Sequence, residues 1–159
     1  MPLDPVLSAI LFAAAVTIHN LEEFVWLPSF ADPRLPRLVR SAFGFRVAVT
    51  AITLAFWTAV AALASGMPAR PIIAGFAAAM VVNAVVPHVV LTMFLRRYHP
   101  GTATALLLVV PSAIVCLQAI GAVEAMQDAA FASVTLAAFL GLGLSVPLLM
   151  TAGRWLEKR

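Results

Sequence analysis

Five stretches of this chain are each long and apolar enough to cross the hydrocarbon core of a bilayer, and no other feature restricts the fold so severely. They cover roughly residues 5–27, 44–65, 71–95, 102–123 and 130–153, where about 20 mostly apolar residues suffice for a helix to span. Inside a bilayer the backbone must satisfy its own hydrogen bonds, so such segments are read as helices. Pro68, Pro71, Pro100 and Gly101 fall in the gaps, where helix breakers belong. The expected fold is all-α: a polytopic transmembrane bundle of about five spans, forming one domain over residues 1–159 without a long linker or repeat.

Composition matters for the choice of solvent and partner. Only 11% of the residues are charged, against about 25% in a typical soluble domain. A net charge of +3 would suit an acidic partner if the basic residues formed one patch. They are instead dispersed over helix ends, which is the membrane pattern. The lipid bilayer is thus the expected partner, nucleic acid is not, and the expected location is an integral, multi-pass one in a plasma membrane of bacterial type. The only cysteine, Cys116, lies in an apolar run, so neither a disulfide framework nor a thiolate metal site can be built. The start, Met1-Pro2-Leu3-Asp4-Pro5, lacks the positive n-region of a secretory signal, and the first span is read as retained.

Lys and Arg in short loops stay cytoplasmic. With the N-terminus outside and the C-terminus cytoplasmic, Arg34, Arg37, Arg40, Arg46, Arg96, Arg97, Arg154, Lys158 and Arg159 all lie inside, and Arg70 alone lies outside. An even number of spans would destroy that asymmetry. From Pro33 to Phe43, arginines alternate with Leu35, Leu38 and Val39. Such a segment suits the inner interface as well as an ordinary basic loop.

Ionisable groups are expensive within a bilayer unless paired or hydrated, so those that remain point to function. His19-Asn20-Leu21-Glu22-Glu23 is the main case. On a helix His19 shares a face with both Glu22 and Glu23, and Ser8, Phe12, Ala15 and Trp26 continue the seam. An imidazole beside two carboxylates can ligate a divalent metal or act as an acid–base pair, and the spacing does not choose between them. In the third span His88 follows Pro87, eight residues before Arg96, while His19 precedes Pro28 by nine. At about 1.5 Å per residue both imidazoles lie roughly 12 to 14 Å below the inner surface. The two histidines are therefore expected at one depth and in contact, with Thr92 one turn beyond His88. Pro87 leaves the Asn83 carbonyl without its helical partner and should kink the span. Asn83 itself points away from His88 on a regular helix and reads as interhelical glue. Arg46, Thr50, Thr53 and Trp57 recur at helical spacing in the second span and form a polar seam expected to face the first. There Arg46 either pairs with a glutamate or snorkels to the interface. Gly141-Leu142-Gly143 should permit close helix packing.

His19-Asn20-Leu21-Glu22-Glu23 resembles the namesake motif of the HXXEE family of small membrane proteins, and Tyr98-His99-Pro100-Gly101 resembles that family's Tyr-x-Pro-Gly motif. Two further motifs associated with the family are not intact: Pro71 follows Ala69-Arg70, and Met93 stands five residues after His88. The resemblance implies membership and no particular activity.

The residues carry two classes of function. The first is a membrane-embedded enzyme on a lipid-like substrate. His19, Glu22, Glu23 and His88 would then hold a divalent metal, zinc or iron, or Glu22 and Glu23 would act as catalytic acid and base, with Arg46, Thr50, Thr53, Asn83 and Thr92 toward the substrate. Two histidines and a carboxylate suffice for a catalytic zinc with an open position. The duplicated Glu-x-x-His pattern of di-iron bundles is absent, which favours a mononuclear site. The second class is a small transporter or proton relay using the same groups. Five spans lack an equal-halved inverted repeat, although a homo-oligomer would supply the symmetry. A third reading, an accessory subunit, has no residue to mark it.

Overall fold

The computed structural model of the chain describes residues 3–30 and 41–157. Among them there is no strand, and the apolar stretches form five helices long and apolar enough to cross a membrane: Pro5–Trp26, Ala42–Ala64, Arg70–Leu95, Thr102–Ala119 and Ala129–Glu157. Local chemistry sets their ends. The Asp4 carboxylate accepts the Leu7 N–H at 2.9 Å, with Pro5 in the first helical position. Ser41 Oγ accepts the Gly44 N–H at 3.2 Å, and Asp128 accepts the Phe131 N–H at 2.8 Å. The fourth helix is shorter than its apolar run because Gly121, at φ +66°, turns the chain into the left-handed region. A separate turn, Ala122–Ala125, follows.

The helices close into a ring in the order first, second, fifth, third, fourth. Away from the basic end the interior is filled: Phe56 meets Phe12 edge-on and stacks on Phe76, with ring centroids 4.9 and 4.7 Å apart. A second apolar cluster, including Leu27, Phe30, Phe45, Val49 and Met150, lies toward the basic end. Arg46, Arg97 and Arg154 gather there, against Phe24, Phe30 and Gly44 respectively, while Arg70 lines a cavity at the other end with Asp4 and Glu124. Arg34, Arg37, Arg40, Lys158 and Arg159, and the interfacial reading of the segment from Pro33, lie outside the described residues.

One local expectation is corrected and another is met. Close packing is not at Gly141 and Gly143, where an added Cβ would meet nothing within 4 Å. The fifth helix packs closely on the second, where a Cβ on Gly153 would stand 2.6 Å from Gly44 Cα, and on the third, where one on Gly75 would stand 2.6 Å from Ala138 Cβ. The third helix kinks at Pro87 as expected, with Val86 extended at φ −124° and ψ 107°. A proline's ring pushes the preceding residue out of the helical region, so the segment after it is re-aimed.

Candidate metal centre

All three histidines of the chain converge where the first, third and fourth helices meet. His19 and Glu23, one turn apart on the first helix, are buried. His88 enters from the third helix, just past the break, and its ring centroid is 4.8 Å from that of His19. The equal depth counted from the sequence thus becomes a contact. The connection to the fourth helix closes over the site. Thr92 Oγ1 accepts the His99 N–H at 3.1 Å and lies 2.9 Å from Thr102 Oγ1, which donates to the His99 carbonyl at 2.7 Å. These bonds hold Gly101 against the histidines at φ +90°.

Glu23 bridges the pair. Its Oε2 is 3.7 Å from His19 Nε2 and its Oε1 is 3.4 Å from His88 Nε2. One ligand atom from each of the three residues can be chosen so that all lie within 4.8 Å of one another. A tetrahedral site with bonds of about 2.0–2.1 Å sets its ligand atoms roughly 3.3–3.4 Å apart; the Glu23–His88 separation matches this, and the wider ones, up to 4.8 Å, would contract onto an ion. Neighbours prepare the imidazoles. Thr104 Oγ1 donates its single hydrogen to Glu22 Oε2 at 2.6 Å, so the His19 Nδ1–H donates to Thr104 Oγ1 at 3.1 Å. His19 Nε2 is then a lone pair, buried without a hydrogen-bond partner, facing Glu23. A metal-ligating histidine has this arrangement, its outer N–H held so that the inner nitrogen is free. Asn83 Nδ2 lies 3.2 Å from His88 Nε2, a contact that an ion on that nitrogen would displace. The donor set of two imidazoles and a carboxylate fits zinc or iron.

The other candidate residues divide. Glu22 stands outside the trio: its Oε1 accepts from the Tyr98 hydroxyl at 2.7 Å and its Oε2 from Thr104. Asn83 contacts His88 despite the regular-helix expectation, because the break at Val86 rotates the lower segment. Thr92 fastens the connection. Arg46 pairs with neither glutamate; its Nε donates to the Phe24 carbonyl at 3.3 Å, with the guanidinium over the Phe24 ring. The polar seam of the second helix does face the first, since Thr53 accepts from Asn20 at 2.7 Å and Trp57 donates to Thr17 at 3.0 Å. Thr50 is exposed at the rim of a groove between those helices, away from the histidines. Ser8, Phe12 and Ala15 are buried as expected, whereas Trp26 is exposed.

Sequence reasoning passed over His99, Gly101 and Thr104 as parts of the site. The available signal is the Tyr98-His99-Pro100-Gly101 motif, which in the sequence marks kinship alone. His99 is 2% exposed, with Nδ1 3.0 Å from the Pro100 carbonyl and 3.3 Å from His88 Nδ1. Burial holds its pKa below the ordinary histidine value against that carbonyl, which acts to raise it. Burial, then the bond to Glu22, raises the Tyr98 pKa. A raised folded value means that Tyr98 contributes its stabilisation below pH about 10 and loses it as pH climbs through the folded pKa. Tyr98 is the only tyrosine, so phenolate absorbance in the folded protein should titrate above pH about 10, and Glu22→Gln should bring the midpoint down. An unchanged midpoint in that variant would dismiss the Glu22 bond.

Beside the trio lies a cavity of about 350 Å³, whose wall among the described residues takes its polar portion from Glu23, Asn20, Asn83 and His99. The remainder is almost entirely apolar, from Phe45, Val49, Ile52, Leu91, Val146 and Met150 among others.

The model of the family described as "Protein of unknown function with HXXEE motif" matches residues 10–116. The chain belongs to the HXXEE family. The motif's His19 and Glu23 are the two residues that the first helix gives to the trio, and the matched region also includes His88 and Gly101. This HXXEE chain is 39% identical to the uncharacterized protein YrkK of Bacillus subtilis (strain 168) over 107 residues, 63% of the chain. It spans 66% of that relative's length. No solved structure matches.

Proposed function

We propose that this protein is a membrane-embedded enzyme in which His19, Glu23 and His88 hold one divalent metal ion, zinc or iron, beside a cavity for a lipid-like substrate. The observation that carries this reading is the buried, unpartnered His19 Nε2 facing Glu23 across from His88. A lone pair and a carboxylate held apart from solvent are costly, and a cation between them offsets both. When bound, such an ion acts as a Lewis acid toward a carbonyl or activates water. The chain's own groups do the rest: Thr104 sets the His19 tautomer, Glu22 orients Thr104, and the apolar wall excludes water from the reacting end. Metal analysis of protein purified without a histidine tag should find about one equivalent of zinc or iron, falling to background in His19→Ala and in His88→Ala. Metal-free wild-type protein, or two variants that retain the ion, would end the metal reading.

A relay reading has its own support, a hydrogen-bonded sequence from half-exposed Tyr98 through Glu22 and Thr104 to His19. Proton flux in proteoliposomes that survives removal of metal would favour it. For orientation we place the basic end in the cytoplasm and the N-terminus outside. Impermeant thiol labelling of cysteines introduced at the two termini decides this, and labelling of both from one side would refute it.

A further inference from the structure

The cavity contains a second unpartnered buried atom. His99 Nε2 has no hydrogen-bond partner, and the ring lies in the cavity wall. The Pro100 carbonyl can only accept, so at 3.0 Å it places the hydrogen of His99 on Nδ1. Nε2 is therefore an acceptor without a donor. Among the described residues, the other polar groups of the wall are Asn20, Glu23 and Asn83, with no Lys or Arg. Asn20 already donates to Thr53, and Asn83 Nδ2 lies against His88. A buried acceptor left unsatisfied is unfavourable, and no described side chain of the wall would neutralise an anionic head. The volume of about 350 Å³ lies at the lower end of the range of about 300–1,000 Å³ for small-molecule pockets, which suits one chain better than two.

We propose that His99 Nε2 accepts a hydrogen bond from the uncharged O–H or N–H head of a single-chain lipid, whose hydrocarbon lies along Phe45, Val49, Ile52, Leu91 and Val146. This deepens the enzyme reading and rests on it, because it names the substrate class of the same site. It makes His99 a substrate-binding residue, and it places the head group beside Glu23. Selectivity arises from geometry: an ether of equal length fills the apolar wall but leaves Nε2 unpaired.

The test uses the full chain in phosphatidylcholine nanodiscs, a lipid whose head has no hydrogen-bond donor. Three photoreactive probes are compared, each with a diazirine in a twelve-carbon chain: the alcohol, its methyl ether and its phosphate monoester. Crosslinks to the cavity wall are counted by mass spectrometry. The alcohol should exceed the ether on the order of tenfold or more, and should exceed the phosphate. His99→Phe should bring the alcohol-to-ether ratio to about one, while His99→Gln, which keeps an acceptor, should retain most of the preference. Equal capture of alcohol and ether would assign the acceptor to bound water and overturn the inference. A preference that survives His99→Phe, or a phosphate captured more strongly than the alcohol, would overturn it too. The probes are applied to metal-stripped protein with metal content measured in parallel. Loss of the preference in a chain that binds metal removes only this inference; its persistence in a chain that binds none removes only the metal.

Discussion

Gly101→Ala should remove the metal site while leaving the five helices in place. A Cβ at that position would stand 2.6 Å from His88 Cε1, 2.9 Å from His19 Cε1 and 3.0 Å from Glu23 Cγ. All three neighbours belong to the ligand trio, and the two rings have no room to retreat because both histidines are fully buried. Two costs combine. An L residue in the left-handed region loses about 1–2 kcal/mol, and overpacking a filled interior loses about 1–3 kcal/mol more, so unfolding in detergent should show a loss of about 2–5 kcal/mol. Gly121 separates these terms, since it is also at positive φ but has nothing within 4 Å of its added Cβ. Gly121→Ala should lose only the backbone part and keep its metal. Circular dichroism and metal analysis on both variants make the comparison. Similar stability and similar metal content in the two would mean that Gly101 is a turn residue and nothing more.

Neutralising Glu23 should lower metal affinity by more than about a hundredfold, whereas neutralising Glu22 should lower it by roughly tenfold. The adjacent glutamates look equivalent in the sequence and are not equivalent in space. Glu23 lies between the two imidazoles, and an amide in its place offers a weaker, uncharged donor to a hard or borderline cation. Glu22 acts through Thr104 on His19 Nδ1. Loss of such an outer partner typically lowers metal affinity by about 10–100-fold, less than loss of a ligand. Gln at this position retains part of the effect, because its amide can still pair with the hydroxyls of Tyr98 and Thr104. Competition against a zinc chelator at fixed pH gives both values. Equal losses would place both carboxylates on the ion, and a larger loss in Glu22→Gln would invert the assignment.

Depth can be counted from the sequence because helical rise is constant, which sets His19 and His88 at one level; their facing does not follow from that count and is supplied by the ring contact at 4.8 Å. Facing could be inferred for the second helix for a similar reason: Thr53 and Trp57 recur with the helical period and do meet the first helix. What failed was every inference that needed a regular helix where there is none. Asn83 was turned from His88 on paper, but the extended Val86 carries Asn83 back to it. His99 was hidden for a different reason. It follows Arg96 and Arg97, which mark a membrane edge, and nothing in a one-dimensional pattern says that the next five residues fold back beneath that edge. Thr92 and Thr102, which fasten the return, look like ordinary hydroxyls of apolar helices. Likewise Arg46 was a plausible partner for a glutamate by level, yet the Phe24 carbonyl and ring already occupy its guanidinium.

The ring order of the helices has a consequence for how the molecule is made. His19 and Glu23 emerge from the ribosome early, but their partner His88 belongs to the third helix, and Gly101 and Thr104 arrive later still. A chain interrupted after its first hairpin therefore contains Glu22, Glu23 and the His19 imidazole without a second imidazole. The fifth helix, last to be synthesised, supplies no member of the trio, yet Leu142, Val146 and Met150 wall the cavity beside it. Between the arrival of residue 104 and that of residue 150, the nascent chain contains every residue of the trio while part of the cavity wall is still to come.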